Sequence, residues 1–315
     1  MSNNIFLTLE FEKIIDHLAQ STLSSLGKEL VLQIEPLTDI TLINQHLSEV
    51  TELKDILDFD DPFPLSGLQN IIPALKKAQM TGNYLLPEEF SKVVQTLEVA
   101  RKINEYFHER KDKYPLLSQL VSQIYSFKAI EKEITRCIDI SSFEVLDNAS
   151  PNLNRIRRSI EIHEQRIRKK LDELVASLSR KGYLQENLVV IRDGRLVLMV
   201  KDEHRNRVKG LIHDQSATGS TLFIEPFETL ELNNQIRSLK IEERREVEKI
   251  LTNLTDLIRE ELPEIQQTVQ ALAQLDFIYA KARFSQELNG NQPAVNQNNR
   301  LEIIKAKHPL LALRH

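Results

Sequence analysis

The chain has 315 residues, a formal net charge of −5 and a single cysteine, Cys137. A chain of this length can bury a substantial core and hold several domains. A single cysteine excludes an internal disulfide and suits a reducing cytosol. Because the net charge is mild, any nucleic-acid surface must be confined to one region. Because no apolar run reaches membrane-spanning length and the N-terminus lacks the pattern of a secretory signal, the sequence predicts a soluble, cytoplasmic protein with no membrane partner.

Residues 1–150 are predicted to form a helical core. Glycine is scarce in the chain, and the abundant Glu, Lys, Leu, Ile and Gln favour helix. Pro87 stands at the first turn of one helix, and Pro115 opens a helical stretch that runs towards Ile130. The histidines here are isolated from other metal ligands and the cysteine has no CxxC context, so these side chains are expected on the surface or in packing roles.

Two long helices are predicted on either side of a β-rich stretch. The first, assigned to residues 151–184, repeats apolar residues at steps of three and four and skips only Glu164. The second, assigned together with a core helix to residues 227–290, repeats this seam, skips Glu243 and is expected to break at Pro263. Narrow apolar stripes are typical of coiled-coil partners, so the two helices are expected to pair as antiparallel levers.

Residues 185–226 are predicted to form a small β module, the clamp. The pair Asp193-Gly194 between two alternating runs is a strong hairpin signal. The expected strands are Leu188–Arg192, Arg195–Lys201, Val208–Ile212 and Thr221–Ile224. The predicted fold class is therefore mainly α with a small β insertion, in which a helical core carries two long antiparallel lever helices with the β-rich clamp at their tip.

Residues 291–315 are predicted to be a polar linker followed by the first residues of another domain. Leu301–Ile304 has the apolar character of a strand, and the chain ends soon after it. A strand with no sheet to join is expected where a protein is cut at a domain boundary.

The clamp carries basic residues that are candidates for nucleic-acid contact. They are Arg192, Arg195, Lys201, Arg205, Arg207 and Lys209. Acidic residues nearby offset them in number, so counting leaves a solvated surface and a phosphate-contacting surface equally open. The first long helix is rich in Arg and Lys whereas the second is net acidic, which fits either a phosphate-contacting face or charge matching between paired helices.

Catalytic motifs are not recognisable in this sequence. None of the eight glycines lie five residues apart, which excludes a phosphate-binding GxxxxGK loop, and GxGxxG, HExxH and GxSxG do not occur. The run His213-Asp214-Gln215-Ser216 holds the residue types of a triad, but a triad requires convergence in space. The chain is therefore expected to have no catalytic, metal-binding or cofactor-binding residues of its own.

A series of motifs resembles the bacterial MutS-two branch of the MutS family. In the clamp these motifs are Val190 to Arg195, Val200-Lys201, Gly210 to Ser216, Gly219 to Pro226 and Leu232-Asn233-Asn234. In the flanking regions, Gly27-Lys28 and Pro64 to Leu68 are similar to the same branch, and Leu275-Asp276 and His308 to Leu311 resemble the approach to the family's ATPase domain.

The resemblance implies the core, levers and clamp of a MutS-like protein, without its ATPase domain, its C-terminal Smr nuclease domain or a mismatch-reading domain. By this resemblance, the full-length protein is expected to be an ATP- and Mg-dependent homodimeric clamp that binds branched or duplex DNA and restrains homologous recombination. It is also expected to bind and split stalled or collided ribosomes. The resemblance therefore implies that the clamp contacts DNA or ribosomal RNA, that the levers transmit nucleotide state, and that this chain alone is neither an ATPase nor an endonuclease.

A second hypothesis assigns the same elements to protein interaction. In it, the helical seams and the clamp form a coiled-coil dimerisation module with no direct nucleic-acid contact. The motif glycines and Pro226 then serve turns and a helix start rather than a ligand. The choice between DNA and the ribosome as target, and the oligomeric state, stay open at this point.

Overall fold

A computed structural model describes residues 8–298 and 300–313 of the chain. Residues 1–7 of the predicted helical core, and residues 299, 314 and 315 of the predicted final segment, lie outside the described residues. Helices dominate the described residues, and the strands form one two-stranded and one four-stranded sheet. The predicted class, mainly α with a small β part, is confirmed.

The chain divides into two compact units, Met1–Glu144 with Thr252–His315, and Val145–Leu251. The helices of the first unit are α1 (Phe11–Gln20), α2 (Ser25–Leu32), α3 (Ile40–Phe59), α4 (Ile72–Gln79), α5 (Pro87–His108), α6 (Pro115–Val121), α7 (Lys128–Cys137), α10 (Leu262–Glu287) and α11 (Pro309–Ala312). Two-residue strands, β1 (Ile138–Asp139) and β2 (Glu144–Val145), pair with each other.

The second unit contains the longer strands. Its elements are α8 (Pro151–Arg180), β3 (Leu184–Arg192), β4 (Arg195–Lys201), β5 (Gly210–Gln215), β6 (Thr221–Pro226) and most of α9 (Phe227–Glu260). The break between α9 and α10 falls where Pro263 predicts it, since Pro263 occupies the first turn of α10. The finer division into a core, two levers and a clamp stays a prediction.

The core of the first unit is built around α10. Leu272 and Leu275 of this helix are fully buried and belong to one apolar cluster with Leu53 of α3 and Phe107 of α5. Buried residues recur along the length of α10 rather than on one stripe. This distribution is expected of a helix that neighbouring elements cover on several sides.

The helix predicted to open at Pro115 begins there, but it ends short of the predicted end, and α7 starts after a break. The backbone of the break is bound by side chains from other elements. The carbonyl of Ile124 accepts a hydrogen bond from Asn104 Nδ2 at 2.9 Å, and the N–H of Tyr125 donates to Thr268 Oγ1 at 3.0 Å. These bonds replace the helical ones, so the single predicted stretch becomes two helices.

The strand predicted at Leu301–Ile304 is wrong. These residues are irregular, and Leu301 and Ile304 are 86% and 79% exposed. A strand needs a neighbouring strand for its backbone hydrogen bonds, and among the described residues this segment has none.

The four-stranded sheet has the strand order β3-β4-β6-β5, and every neighbouring pair is antiparallel. The predicted hairpin between β3 and β4 is confirmed by the pairing of Arg192 with Arg195. Asp193 and Gly194 both have positive φ, 48° and 75°, which is the type I′ turn that an Asp-Gly pair favours. The other two predicted strands are present with shifted bounds: Val208–Ile212 was predicted where β5 covers Gly210–Gln215, and β6 extends the predicted Thr221–Ile224 to Pro226.

One face of this sheet packs on the two long helices. The cluster contains Leu198 and Val200 of β4, Leu222 and Ile224 of β6, Ile167 and Leu171 of α8, and Ile236 of α9. Residues two apart on each strand share this face, as the strand period requires. Burial of these side chains therefore fixes the register of the sheet against the helices.

Polar contacts between α8 and α9 show that the two helices run antiparallel. Arg157 Nε lies 2.7 Å from Glu243 Oε1, and Lys240 Nζ lies 2.9 Å from Glu164 Oε1. The contact residue later in α8 thus pairs with the contact residue earlier in α9. Glu164 and Glu243 are the two positions at which the apolar seams are interrupted. Each interruption is thus occupied by an ion pair that crosses to the other helix.

Candidate nucleic-acid interface

A buried carboxylate lies on β6, the strand between β4 and β5. Glu225 of β6 is fully buried, and Arg195 Nη1 reaches both of its oxygens at 2.8 and 2.9 Å. His213 Nε2 lies 2.6 Å from Glu225 Oε2. A carboxylate taken out of water requires such partners, because an unpaired buried charge is very unfavourable.

Sequence reasoning missed the role of Glu225, because it left this residue between the predicted strand Thr221–Ile224 and the second long helix. The helix begins at Phe227, and every residue of β6 is buried. The available signal was the alternation through β6, which puts Phe223 and Glu225 on one face. An acidic residue inside an otherwise apolar strand is the pattern that indicates a buried ion pair.

The motif Asn233-Asn234 on α9 fastens the end of β4. Asn233 is buried; its Oδ1 accepts from the Leu196 N–H at 3.2 Å, and its Nδ2 donates to the Leu196 carbonyl at 3.2 Å. Extending the register of β4 and β6 places Pro226 opposite Leu196, and proline has no N–H to donate. The amide of Asn233 supplies the missing strand partner.

The six predicted contact residues fall into two groups, and the first is engaged within the sheet. The Arg195 side chain is 13% exposed and also donates to Asn234 Oδ1 at 2.8 Å. Arg192 Nε lies 3.7 Å from Asp214 Oδ2, and the guanidinium carbon of Arg192 lies 4.2 Å from the centre of the Phe223 ring. Both guanidiniums therefore have structural partners, and whether they also touch nucleic acid stays a prediction.

The other four bases lie on residues 201–209, which we call the basic segment. Arg205, Arg207 and Lys209 are exposed and Lys201 is half-buried. Within residues 8–298 and 300–313, none of these four side chains has a recorded hydrogen bond or ion pair. Across the segment, four bases outnumber two acids. It therefore presents positive charge that the fold itself does not use.

The basic segment is held by its backbone rather than by its charges. The Lys201 N–H donates to the Tyr183 carbonyl at 3.0 Å, and the Phe227 N–H donates to the Lys209 carbonyl at 3.2 Å. Val208 is buried inside the segment. Because both ends and one apolar side chain are anchored, the charged side chains project from a fixed backbone.

The exposed face of α8 carries a second group of free bases. Ile167 and Leu171 are fully buried, so the residues between and before them point outward. The exposed bases without a recorded partner in the described part of the chain are Arg158, Arg166, Arg168, Lys169 and Lys170. The ion pairs recorded between α8 and α9 use Arg157 and Lys240, so charge matching between the helices does not account for this group.

The run from His213 to Ser216 does not form a catalytic triad. His213 contacts Glu225, Asp214 lies near Arg192, and Ser216 Oγ accepts from the Thr221 N–H at 3.1 Å within a turn. Among the described residues, no three His, Cys, Asp or Glu side chains come together in a way that would hold a metal ion. No described helix is both long and apolar enough to cross a membrane.

No family model matches the chain, but individual proteins do. The chain is 37% identical over 313 residues to endonuclease MutS2 of Alkaliphilus oremlandii, covering 99% of this chain and 39% of that protein. It is 35% identical over 314 residues to endonuclease MutS2 of Geobacillus sp., covering 99% of this chain and 40% of that protein. Endonuclease MutS2 of Acetivibrio thermocellus is 38% identical over 314 residues, with 99% and 39% covered.

The predicted resemblance to the MutS-two branch is therefore confirmed over nearly the whole chain. The chain spans 39–40% of the length of these relatives.

Proposed function

We propose that this chain, related over 99% of its length to endonuclease MutS2 proteins, supplies the nucleic-acid-binding surface of a MutS-like protein. The surface consists of the basic segment and the outward face of α8, both in the unit Val145–Leu251. The observation that carries the proposal is that Arg205, Arg207 and Lys209 are exposed and have no partner within the part of the chain that the structure describes. Surface bases of this kind are available to phosphates at no cost to the fold.

Binding by this surface depends on charge and shape. Arg and Lys contact phosphate oxygens and release condensed counterions, which gives affinity without reading the base sequence. Arg192 and Arg195 hold the sheet together and thereby position the basic segment. Asn233 and Asn234 contribute in the same way, because they attach the sheet to α9.

In the whole protein we propose that α8 and α9 act as levers. α8 leads into the sheet and α9 leads out of it, with 30 and 34 residues, or about 45 and 51 Å of helix. Ion pairs and an apolar cluster join them, so they can move as one body. An ATPase domain, with ATP and Mg, would change the position of the clamp through these helices during binding of branched DNA or stalled ribosomes.

The decisive experiment measures binding across a salt series. The 315-residue chain is titrated with a four-way DNA junction, duplex DNA and ribosomes between low and physiological salt. The test variant is Arg205→Glu/Arg207→Glu/Lys209→Glu. The matched control is Lys76→Glu/Lys92→Glu/Lys132→Glu, which makes the same charge change at exposed lysines of the first unit.

We expect the test variant to lose at least tenfold in affinity and to lower the slope of log affinity against log salt by about one unit for each phosphate contact removed. The control variant should bind like the parent chain. If both variants lose equally, the surface acts only through net charge, and if neither loses, the proposal is wrong. Junction DNA and ribosomes compared on the same variants decide which target uses the surface.

A protein-interaction function is the second candidate, because the same β module exposes apolar side chains. Leu188 and Ile191 of β3 and Ile212 of β5 are 57%, 64% and 47% exposed. Such residues on edge strands are typical of a surface that another chain covers. Sedimentation of the chain across a concentration series, with Ile191→Lys/Ile212→Lys as the variant, tests this: salt-insensitive association abolished by the variant supports it.

A further inference from the structure

The first unit contains a cavity that the proposed nucleic-acid surface does not involve. It has a volume of about 310 Å³ and lies among α2, α3, α6 and α10. This volume is at the lower end of the range for small-molecule sites. Its apolar wall consists of Leu30, Leu116, Leu120, Phe277 and Ile278.

Lys281 of α10 contributes the positive charge of this cavity. Its Nζ lies 4.0 Å from the centre of the Phe277 ring, and no hydrogen bond or ion pair to it is recorded among the described residues. Burial lowers the pKa of Lys281 to about 8, while the nearby Glu49 acts in the opposite direction. Among the described residues, this ammonium therefore has neither a carboxylate as counterion nor a hydrogen-bond acceptor to replace the water it loses on burial.

The remaining polar groups of the cavity leave this charge available. The titratable side chains that line it with Lys281 are His46 and Glu49 of α3, whereas α2 and α6 contribute none. Glu49 Oε1 already accepts a hydrogen bond from Gln45 Nε2 at 2.9 Å. Neutral amide groups complete the lining, and they come from Gln45, Gln119, Gln123 and Gln274.

We propose that this cavity binds a small organic carboxylate with an apolar body. The carboxylate would face the ammonium of Lys281 and accept hydrogen bonds from glutamine amides, while its hydrocarbon part would lie against Leu120, Phe277 and Ile278. Charge-assisted hydrogen bonds to a partly buried cation are among the stronger polar contacts. The cavity would thus be a ligand site separate from the basic segment.

The probes for this proposal are butyrate and its neutral isostere butanamide, each titrated into the 315-residue chain. Chemical-shift changes of isotope-labelled lysine and glutamine side chains report the site. Inorganic phosphate is the anion without an apolar body. We expect butyrate to bind at least tenfold more tightly than butanamide and more tightly than phosphate, with affinity falling as the pH rises through about 8, because Lys281 then loses its charge.

Three variants separate a ligand role from a structural one. Lys281→Met should lower butyrate affinity at least tenfold, Lys281→Arg should restore most of it, and Glu49→Gln should strengthen it severalfold by removing the competing carboxylate. The control Lys76→Met changes an exposed lysine of the same unit and should leave binding unchanged. Equal binding of butyrate and butanamide, or undiminished binding to a folded Lys281→Met chain, overturns the proposal.

Discussion

Among the described residues, two carboxylates are fully buried, and the two units stabilise them by different means. Asp276 of the first unit accepts only from neutral donors: the Leu23 N–H at 2.8 Å, the Ser24 N–H at 2.9 Å and the Ser24 hydroxyl at 2.6 Å. Glu225 of the second unit has the charged guanidinium of Arg195 and the imidazole of His213.

The difference follows from where each carboxylate lies. Asp276 lies beside the N-cap of α2, where the N–H groups of Leu23 and Ser24 have no partner within the helix and can donate to its carboxylate. Glu225 lies on a strand whose own backbone groups are used in the sheet, so only side chains remain as partners. Asp276 thus obtains two of its three hydrogen bonds from backbone N–H groups that precede α2, whereas Glu225 requires side chains from β4 and β5.

Glu225→Ala is expected to have the largest effect on stability. It leaves the mostly buried guanidinium of Arg195 without its counterion, which typically costs about 3–5 kcal/mol of unfolding free energy. Chemical denaturation measures the loss, and hydrogen exchange should localise it to the sheet. Glu225→Gln, which keeps two polar atoms in place, should lose less; a loss below about 1 kcal/mol for the alanine variant would contradict the account.

Asp276→Ala should have the next largest effect. Three donors lose their acceptor, and with some access to water the expected loss is about 2–4 kcal/mol. Hydrogen exchange should place the loss in the segment before α2 and leave the sheet protected. Ser24→Ala is the matched control, since it removes one donor and one helix cap and should cost only about 1 kcal/mol. Equal losses from the two variants would refute the role given to Asp276.

Much of this fold was predictable because it depends on local patterns. The Asp193-Gly194 turn, the break at Pro263 and the apolar seams of α8 and α9 each follow from short-range rules. The ion pairs at Glu164 and Glu243 were not predicted, although the interruptions in the seams marked both positions. The sequence shows that a glutamate occupies an apolar position of each seam. Only the structure shows which basic side chain of the other helix pairs with that glutamate.

The candidate site was predictable only in part, because counting basic and acidic residues in the sequence does not show which basic side chains have ion-pair partners inside the fold. All six bases were selected from composition, and the structure separates Arg192 and Arg195, which have internal partners, from the four bases of the basic segment. That separation depends on Glu225 and Asp214, which approach from other strands. The motif pairs Gly27-Lys28 and Leu275-Asp276 likewise meet in the fold, and nothing local in the sequence indicates it.

Each of the two residues with a buried carboxylate has a glycine packed closely against it. A Cβ on Gly210 would lie 2.2 Å from the Glu225 carbonyl oxygen, and one on Gly27 would lie 2.3 Å from Asp276 Oδ2. We expect Gly210→Ala to cost about 1–3 kcal/mol of unfolding free energy and Gly27→Ala somewhat less, since a side chain yields more readily than backbone. Thermal denaturation of both variants checks the order, and the reverse order would contradict it.

The smallest expected effect is a pH dependence that belongs to Asp276. Burial raises the pKa of Asp276 above its usual 3.8, and the hydrogen bonds from Leu23 and Ser24 oppose this only in part. The folded chain therefore binds this proton more tightly than the unfolded chain does. Protonation consequently favours the folded state, and this residue's contribution to the unfolding free energy rises as the pH falls from neutral towards about 4.

Asp276→Asn isolates this contribution, since the amide cannot titrate. The variant should be less stable than the parent chain at neutral pH, because its NH2 group faces N–H donors that need an acceptor. The deficit should widen as the pH falls, because only the parent chain gains from protonation. Denaturant titrations of both chains between pH 7 and pH 4 measure the difference. A deficit that narrows with falling pH would contradict this account, because it would mean that the neutral donors stabilise the ionised form of Asp276 more than burial penalises it.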